Sequence, residues 1–100
     1  MAVVFHRLAT QEFVAARRRY RHIDPDLEDR FVAAVGRAVR RVDANPLLGS
    51  LFRGSFRWVR TRRYPYVLYY EVISPDFVRV YAVAHSRRRP GYWLRRVNRP

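Results

Sequence analysis

A change in hydrophobic period near residue 45 constrains the fold of this chain more than any other feature. Before it, apolar side chains recur every three to four residues, which is the spacing of one helix face. After it come three segments rich in Val, Tyr, Phe and Trp that are typical of β-strands, Phe56–Arg62, Tyr66–Ile73 and Phe77–Ala84. The sequence therefore predicts a helical first half and a sheet-forming second half.

The first helix is predicted to follow a short strand over residues 2–8, in which Val3 and Val4 are β-branched. Thr10 is the expected N-cap, with Glu12 in the first turn, where negative charge suits the helix dipole. The apolar side of this helix consists of Phe13, Ala16, Tyr20 and Ile23. This side is expected to pack against a sheet.

A second helix is predicted directly after the first. Asp24 can cap it, Pro25 fits its first position, and Asn45-Pro46 ends it. Because so few residues join them, the two helices should form an antiparallel hairpin. The apolar side of the second helix consists of Leu27, Phe31, Val35, Val39 and Val42.

The second half is predicted to form hairpins. The segment Leu47–Gly54 is expected to be a loop, and Tyr64-Pro65 and Ser74-Pro75-Asp76 are turn signals between the strands. In the middle strand, alternation places Tyr66, Leu68, Tyr70 and Val72 on one face and Val67, Tyr69, Glu71 and Ile73 on the other. The predicted fold is α+β in the order β-α-α-β-β-β. A helix hairpin packs on a mainly antiparallel sheet, a short C-terminal tail or helix follows, and residues 1–100 form one domain.

Composition excludes several classes of protein. Hydrophobic residues make up 49% of the chain, which is too many for a disordered protein and enough for a packed core. There is no cysteine, so disulfides and thiolate metal sites are excluded, and we expect neither a metal nor a cofactor. The first apolar run is too short for a signal peptide or a membrane span. A cytoplasmic protein without a membrane partner is expected.

The charge is strongly basic and unevenly distributed. The net charge is +13, and every basic residue except the histidines is arginine. Residues 51–100 contain twelve arginines and two acidic residues, whereas residues 1–50 contain nine and six. The second half therefore predicts a positive surface that faces phosphates or an acidic protein.

Three motifs resemble the RelE/ParE family of toxins. They are Asn45-Pro46 with Gly49 after the second helix, the strand 64–70 (YPYVLYY), and the closing segment 84–93 (AHSRRRPGYW). The resemblance covers essentially the whole chain. It implies the toxin of a type II toxin–antitoxin system, held inactive by a cognate antitoxin that is acidic and partly disordered when free. Exposed arginines of the helix hairpin are expected to meet it, namely Arg17, Arg18, Arg37 and Arg40.

The resemblance leaves two activities open, and the sequence slightly favours a ribosome-dependent mRNA endonuclease. Cleaving RNA without a metal needs proton transfer and stabilised charge on the phosphate. The expected catalytic residues are His85, Arg87 and Tyr92, with the pKa of Tyr92 lowered by neighbouring arginines. The residues expected to bind RNA or another target are Arg60, Arg62, Arg63, Arg88, Arg89 and Trp93. For Trp93, the sequence slightly favours the alternative role of anchoring the C-terminus on the core.

The alternative is an inhibitor of DNA gyrase that binds without catalysing a reaction, as the ParE-like members do. Nucleases that resemble RelE have an arginine in the central strand and lysines that act as base. Here Val67 occupies that arginine position, and the sequence contains no lysine. A general nucleic-acid-binding domain is a third hypothesis, although no motif of a known module is present.

Overall fold

The computed structural model describes residues 2–98 and confirms the α+β class. A helical hairpin packs on one face of a five-stranded sheet. The elements are β1 (Ala2–Phe5), α1 (Arg7–Ile23), α2 (Pro25–Ala44), β2 (Ser50–Phe52), β3 (Phe56–Arg60), β4 (Tyr66–Ser74), β5 (Phe77–His85) and a 3-10 helix (Leu94–Arg96). The predicted element order is confirmed, with one additional strand.

The additional strand is β2, which lies in the segment predicted to be a loop. It pairs antiparallel with β3, with Ser50 opposite Trp58 and Phe52 opposite Phe56. With three residues it is too short to show alternation in the sequence. The strand order is β1-β5-β4-β3-β2, and β1 runs parallel to β5 while the other pairs are antiparallel. The sheet is therefore mixed and mainly antiparallel.

Helix α1 begins earlier than the sequence predicted. His6 is its N-cap, because the imidazole Nδ1 accepts a hydrogen bond from the N–H of Leu8 at 3.0 Å. Thr10 lies inside the first turn, and its N–H donates to the carbonyl of His6. The expectation that Thr10 caps α1, and that the first strand continues to residue 8, was wrong. A histidine cap is uncommon, so the stronger consensus at Thr10 misled the prediction.

Helix α2 begins as predicted. The Asp24 carboxylate accepts from the N–H of Asp26 at 3.0 Å, and Pro25 occupies the first turn. The hairpin is closed by aromatic packing, since the ring of Phe31 lies 5.0 Å from that of Tyr20 and 5.8 Å from that of Phe13.

The two faces of the sheet carry separate apolar clusters. On β4, Tyr66, Leu68 and Tyr70 face the helices, whereas Val67 and Tyr69 belong to the opposite cluster, so the predicted alternation is confirmed. The register between β4 and β5 shifts where Tyr69 pairs with Ala82 and Tyr70 pairs with Val80. This β-bulge leaves Tyr81 without a partner in the ladder, and its ring packs in the cluster opposite the helices.

The connection after α2 is held by a buried tyrosine. The Tyr70 hydroxyl donates to the carbonyl of Pro46 at 2.7 Å and accepts from the N–H of Gly49 at 2.9 Å. A Cβ at Gly49 would lie 2.6 Å from that hydroxyl oxygen, which is too close for any side chain. Pro46 and Gly49 thus fix where the chain returns to the sheet at β2.

Candidate functional site

The chain after β5 crosses the sheet face opposite the helices and is anchored there by Trp93. This side chain is fully buried, stacks on Tyr81 with 5.6 Å between ring centroids, and meets Phe56 and Tyr69 at 5.1 Å each. The expectation that Trp93 stacks on a base is wrong, because a fully buried ring has no surface to offer. Its alternative role as an anchor of the C-terminus is confirmed.

Tyr92 is held by a carboxylate from the far end of the sequence. Its hydroxyl donates to Oε2 of Glu12 at 2.5 Å. Burial raises the pKa of Tyr92 well above its ordinary value, and the hydrogen bond to Glu12 adds to this rise. Arg96 and Arg88 lower the pKa, but by less. The expectation that arginines would lower the pKa of this phenol was therefore wrong.

Glu12 joins α1 to both β5 and the C-terminal segment. Its two carboxylate oxygens accept from the Arg96 guanidinium, each at 2.9 Å, and Oε1 also accepts from the N–H of Val83 at 3.0 Å. The Arg88 guanidinium lies 3.9 Å from Oε2, with its centre 3.7 Å from the centroid of the Tyr92 ring. The sequence indicated Glu12 only as a first-turn acid, because its partners are 71 to 84 positions away.

His85 ends β5 beside this network and is half-buried. Its Nδ1 accepts from the N–H of Arg87 at 3.1 Å, so Nε2 is the nitrogen left for proton transfer. The ring meets Tyr66 edge-on at 5.4 Å. A small cavity of about 160 Å³ is lined by Glu12, Ala15, Arg19, Tyr66, Val83, His85 and Arg88. We call it the His85 cavity.

The structure brings the three expected catalytic residues to one end of the molecule, with different exposure. His85 lines the His85 cavity, and Tyr92 bonds to Glu12 at its wall. Arg87 is exposed, and its backbone rather than its side chain contacts His85. Of the three, His85 is therefore the one whose ring lines the His85 cavity.

The arginines expected to bind a target are divided between two surfaces. Arg60, Arg62 and Arg63 line a groove at the tip of the β3–β4 hairpin, together with Ser86. Arg89 lines a groove on the C-terminal segment with Arg53 and Tyr92. Arg60, Arg62 and Arg63 were expected to bind the target together with Arg88 and Arg89. Neither these two grooves nor the His85 cavity is lined by members of both sets.

Within residues 2–98, no group of histidine and acidic residues is arranged to hold a metal ion. In the same part of the chain, no helix is long and apolar enough to cross a membrane.

A helical hairpin on a mixed five-stranded sheet, closed by a basic C-terminal segment, defines the class of RelE/ParE superfamily toxins. The family model described as ParE toxin of type II toxin-antitoxin system, parDE, matches residues 3–90, so the chain belongs to this family. The protein is thus the toxin of a type II toxin–antitoxin system, and a cognate antitoxin is its partner.

A solved structure described as the chromosomal ParDE TA system from P. aeruginosa is similar in fold. Its TM-score is 0.72 at 17% sequence identity, over 85% of this chain and 95% of that chain. At this identity the likeness supports the fold alone. The search of curated proteins found no significant match.

Proposed function

We propose that this ParE-family toxin inhibits DNA gyrase by binding to it, without a catalytic step. The observation that carries the proposal is the bond from the Tyr92 hydroxyl to Glu12. It uses the expected catalytic tyrosine as a structural link and raises its pKa, so that Tyr92 is a poor proton donor or acceptor near neutral pH. The sequence slightly favoured a nuclease, whereas the bond between Tyr92 and Glu12 favours inhibition by binding.

The remaining side chains are poorly suited to metal-free RNA cleavage. That reaction needs one group to take the proton of the 2′-hydroxyl and another to protonate the leaving oxygen. Besides His85, the His85 cavity offers Glu12, which is bonded to Arg96, and Tyr66, whose hydroxyl accepts from Arg19, and the chain has no lysine. Val67, which occupies the position of the central-strand arginine, packs in the cluster under Trp93.

The C-terminal segment is suited to binding a protein. Arg87, Arg88 and Arg89 are exposed, while Trp93 and the Glu12–Arg96 bonds fix the backbone that carries them. A surface fixed before binding loses little conformational entropy when it meets a partner. We assign these three arginines to an acidic surface of gyrase.

We further propose that the cognate antitoxin is acidic and partly disordered when free. The side chain of Arg17, expected to meet it, donates to Glu28 at 3.1 Å within the toxin, whereas Arg18 is exposed on the same helix. An acidic segment that folds on the toxin would be guided by such exposed charges.

A ribosome-dependent mRNA endonuclease is the second candidate. One observation favours it, because the His85 cavity brings an imidazole together with the guanidinium groups of Arg19 and Arg88. In that mechanism His85 would take the proton of the 2′-hydroxyl or give one to the leaving oxygen, and Arg87 and Arg88 would bind the phosphate.

Substitution of His85 separates the two candidates. We expect cells that express the His85→Gln toxin without antitoxin to stop growing as they do with the wild type. DNA breaks should accumulate while 5′ ends of cellular messages stay unchanged. His22→Gln is the matched control, since His22 is an exposed histidine of α1. If His85→Gln lowers toxicity about a hundredfold or more, the loss expected for a general acid or base, and new message ends disappear, the toxin is a nuclease and the proposal is wrong.

A further inference from the structure

A continuous row of arginines runs from α2 to the β3–β4 hairpin. We call it the arginine strip, and it consists of Arg30, Arg37, Arg40, Arg41, Arg60, Arg62 and Arg63. The strip lines three adjoining grooves of about 510, 400 and 440 Å³. Arg62 lines all three grooves, so they form one surface.

The strip is built by two elements. On α2, Arg30, Arg37 and Arg40 share one side of the helix and span about 15 Å along its axis. The Arg41 guanidinium donates to the carbonyl of Arg60 at 2.8 Å, which ties this side of α2 to the end of β3. The structure thus holds two arginine-bearing elements side by side.

The charged residues that line the strip are all arginines. Elsewhere Arg17, Arg21 and Arg96 donate to glutamates, but the described residues that line the three grooves include no carboxylate. Clustered like charges repel each other and destabilise the folded state. A bound polyanion would offset this cost.

The backbone at the hairpin tip supports a functional role for the strip. Arg63 has φ of 70°, in the left-handed region that residues with a Cβ rarely adopt. Such conformations cluster at binding sites, where the surrounding structure holds them. Here the hydroxyl of Thr61 donates to the carbonyls of Tyr64 at 3.3 Å and Tyr66 at 2.9 Å, which closes the loop at its base.

From these observations we infer that the arginine strip binds the phosphodiester backbone of duplex DNA. Guanidinium groups bind phosphate through paired hydrogen bonds, and the 15 Å row on α2 matches the axial rise of about four base-pair steps. The choice of DNA over RNA rests on the proposed function, because gyrase acts on DNA. The strip would then contact DNA held by gyrase while the C-terminal segment contacts the enzyme.

The composition of the grooves favours nucleic acid over the antitoxin, to which the sequence had assigned Arg37 and Arg40. A peptide that folds on binding needs apolar surface to bury. The exposed leucines Leu47, Leu48 and Leu51 lie outside the three grooves. The grooves do contain apolar side chains such as Leu27 and Tyr64, but every charged residue that lines them is an arginine, which suits a polyanion.

Two double variants of equal charge test the inference. Arg37→Gln with Arg62→Gln removes two exposed arginines of the strip, and Arg7→Gln with Arg18→Gln removes two exposed arginines outside it. Binding of the purified full-length toxins to a fluorescent DNA duplex is measured over a range of salt concentrations, without gyrase. The strip variant should bind about tenfold or more weakly, with a salt slope lower by about 2. The control variant should bind like the wild type.

Equal weakening in both variants would overturn the inference, because net charge alone would then explain the binding. Tighter binding to single-stranded RNA or to polyglutamate than to the duplex would also overturn it. Thermal unfolding of both variants verifies that each is folded. Absence of duplex binding by a wild-type toxin that still inhibits gyrase would refute this inference alone. Duplex binding by a toxin without effect on gyrase would refute the proposed function alone.

Discussion

Two helices of 17 and 20 residues cover one face of the sheet, whereas the other face is covered by the short segment after β5. The segments on each face are joined through one glutamate that accepts hydrogen bonds from arginines. Glu28 accepts from Arg17 and Arg21 and joins the two helices, and Glu12 accepts from Arg96 and Tyr92 and joins the C-terminal segment to α1. The helical face rests on many apolar contacts spread over two long elements. On the other face a smaller apolar cluster surrounds Trp93, and the bonds of Glu12 hold the C-terminal segment to α1.

This difference indicates that the two faces of the sheet have different roles. The helical hairpin supplies a scaffold, and the C-terminal segment supplies a small rigid surface whose arginines are exposed. The residues that looked most suited to chemistry, Tyr92 and Trp93, serve to fix that surface. This arrangement is consistent with the proposed function, in which the toxin acts by binding gyrase.

The largest expected effect comes from removing the anchor. Trp93→Ala should lower the free energy of unfolding by about 3–5 kcal/mol, because it leaves a cavity among Tyr81, Phe56 and Tyr69. Trp58→Ala is the matched control, and a smaller loss is expected because Trp58 is only half-buried. Denaturant unfolding measures both. Equal losses would contradict the role of Trp93 as the main anchor of this face.

Removing the carboxylate charge should have an intermediate effect. Glu12→Gln weakens the bonds to Arg96 and Tyr92, and we expect a loss of about 2 kcal/mol in the free energy of unfolding.

Tyr92→Phe tests the same contact from its other side. It removes only the hydroxyl donor and should lower the free energy of unfolding by about 1 kcal/mol. Ultraviolet titration of the wild type and of Glu12→Gln should also show that the raised pKa of Tyr92 falls when the carboxylate is removed. A Glu12→Gln protein as stable as the wild type would show that Glu12 does not hold the segment.

The smallest effect concerns acid stability on the helical face. The hydrogen bond from Arg21 is the main cause that lowers the pKa of Glu28 from 4.5 to about 2, against the opposing effect of burial, and Arg17 adds to it. A carboxyl with a lowered pKa stabilises the fold above its ordinary pKa, and this contribution is lost as the pH falls toward the folded value. The stability difference between wild type and Glu28→Gln should therefore shrink between pH 4.5 and 2.

Thermal unfolding across that pH range measures the difference. Arg18→Gln removes a neighbouring arginine that is not bonded to Glu28 and should keep the wild-type acid dependence. A constant difference between wild type and Glu28→Gln down to pH 2 would refute the lowered pKa.

The sequence predicted the helical face better than the opposite one, for physical reasons. Helical periodicity and the cap at Asp24 are local signals, as is the alternation along β4, and all three were confirmed. The early start of α1 at His6 was missed because Thr10 has the stronger capping consensus. Strand β2 was missed because its pairing partner, rather than its own residues, makes it a strand.

The sequence could predict part of the arrangement around the candidate residues. It indicated the basic C-terminal end, and the structure brings His85, Arg88 and Tyr92 close to Glu12 there. It could not show that Glu12 would meet Tyr92, 80 positions away, because no local pattern encodes such a contact. That one long-range bond changes the role assigned to the tyrosine.

The most direct test of a toxin that acts by binding is a supercoiling assay with purified gyrase. Wild-type toxin and a His85→Gln, Tyr92→Phe double variant are compared over the same concentration range. Equal inhibition by the two proteins is the predicted result, since neither side chain is needed for a chemical step. Failure of the wild type to inhibit gyrase at saturating concentration would contradict it, as would a folded double variant that has lost its inhibition.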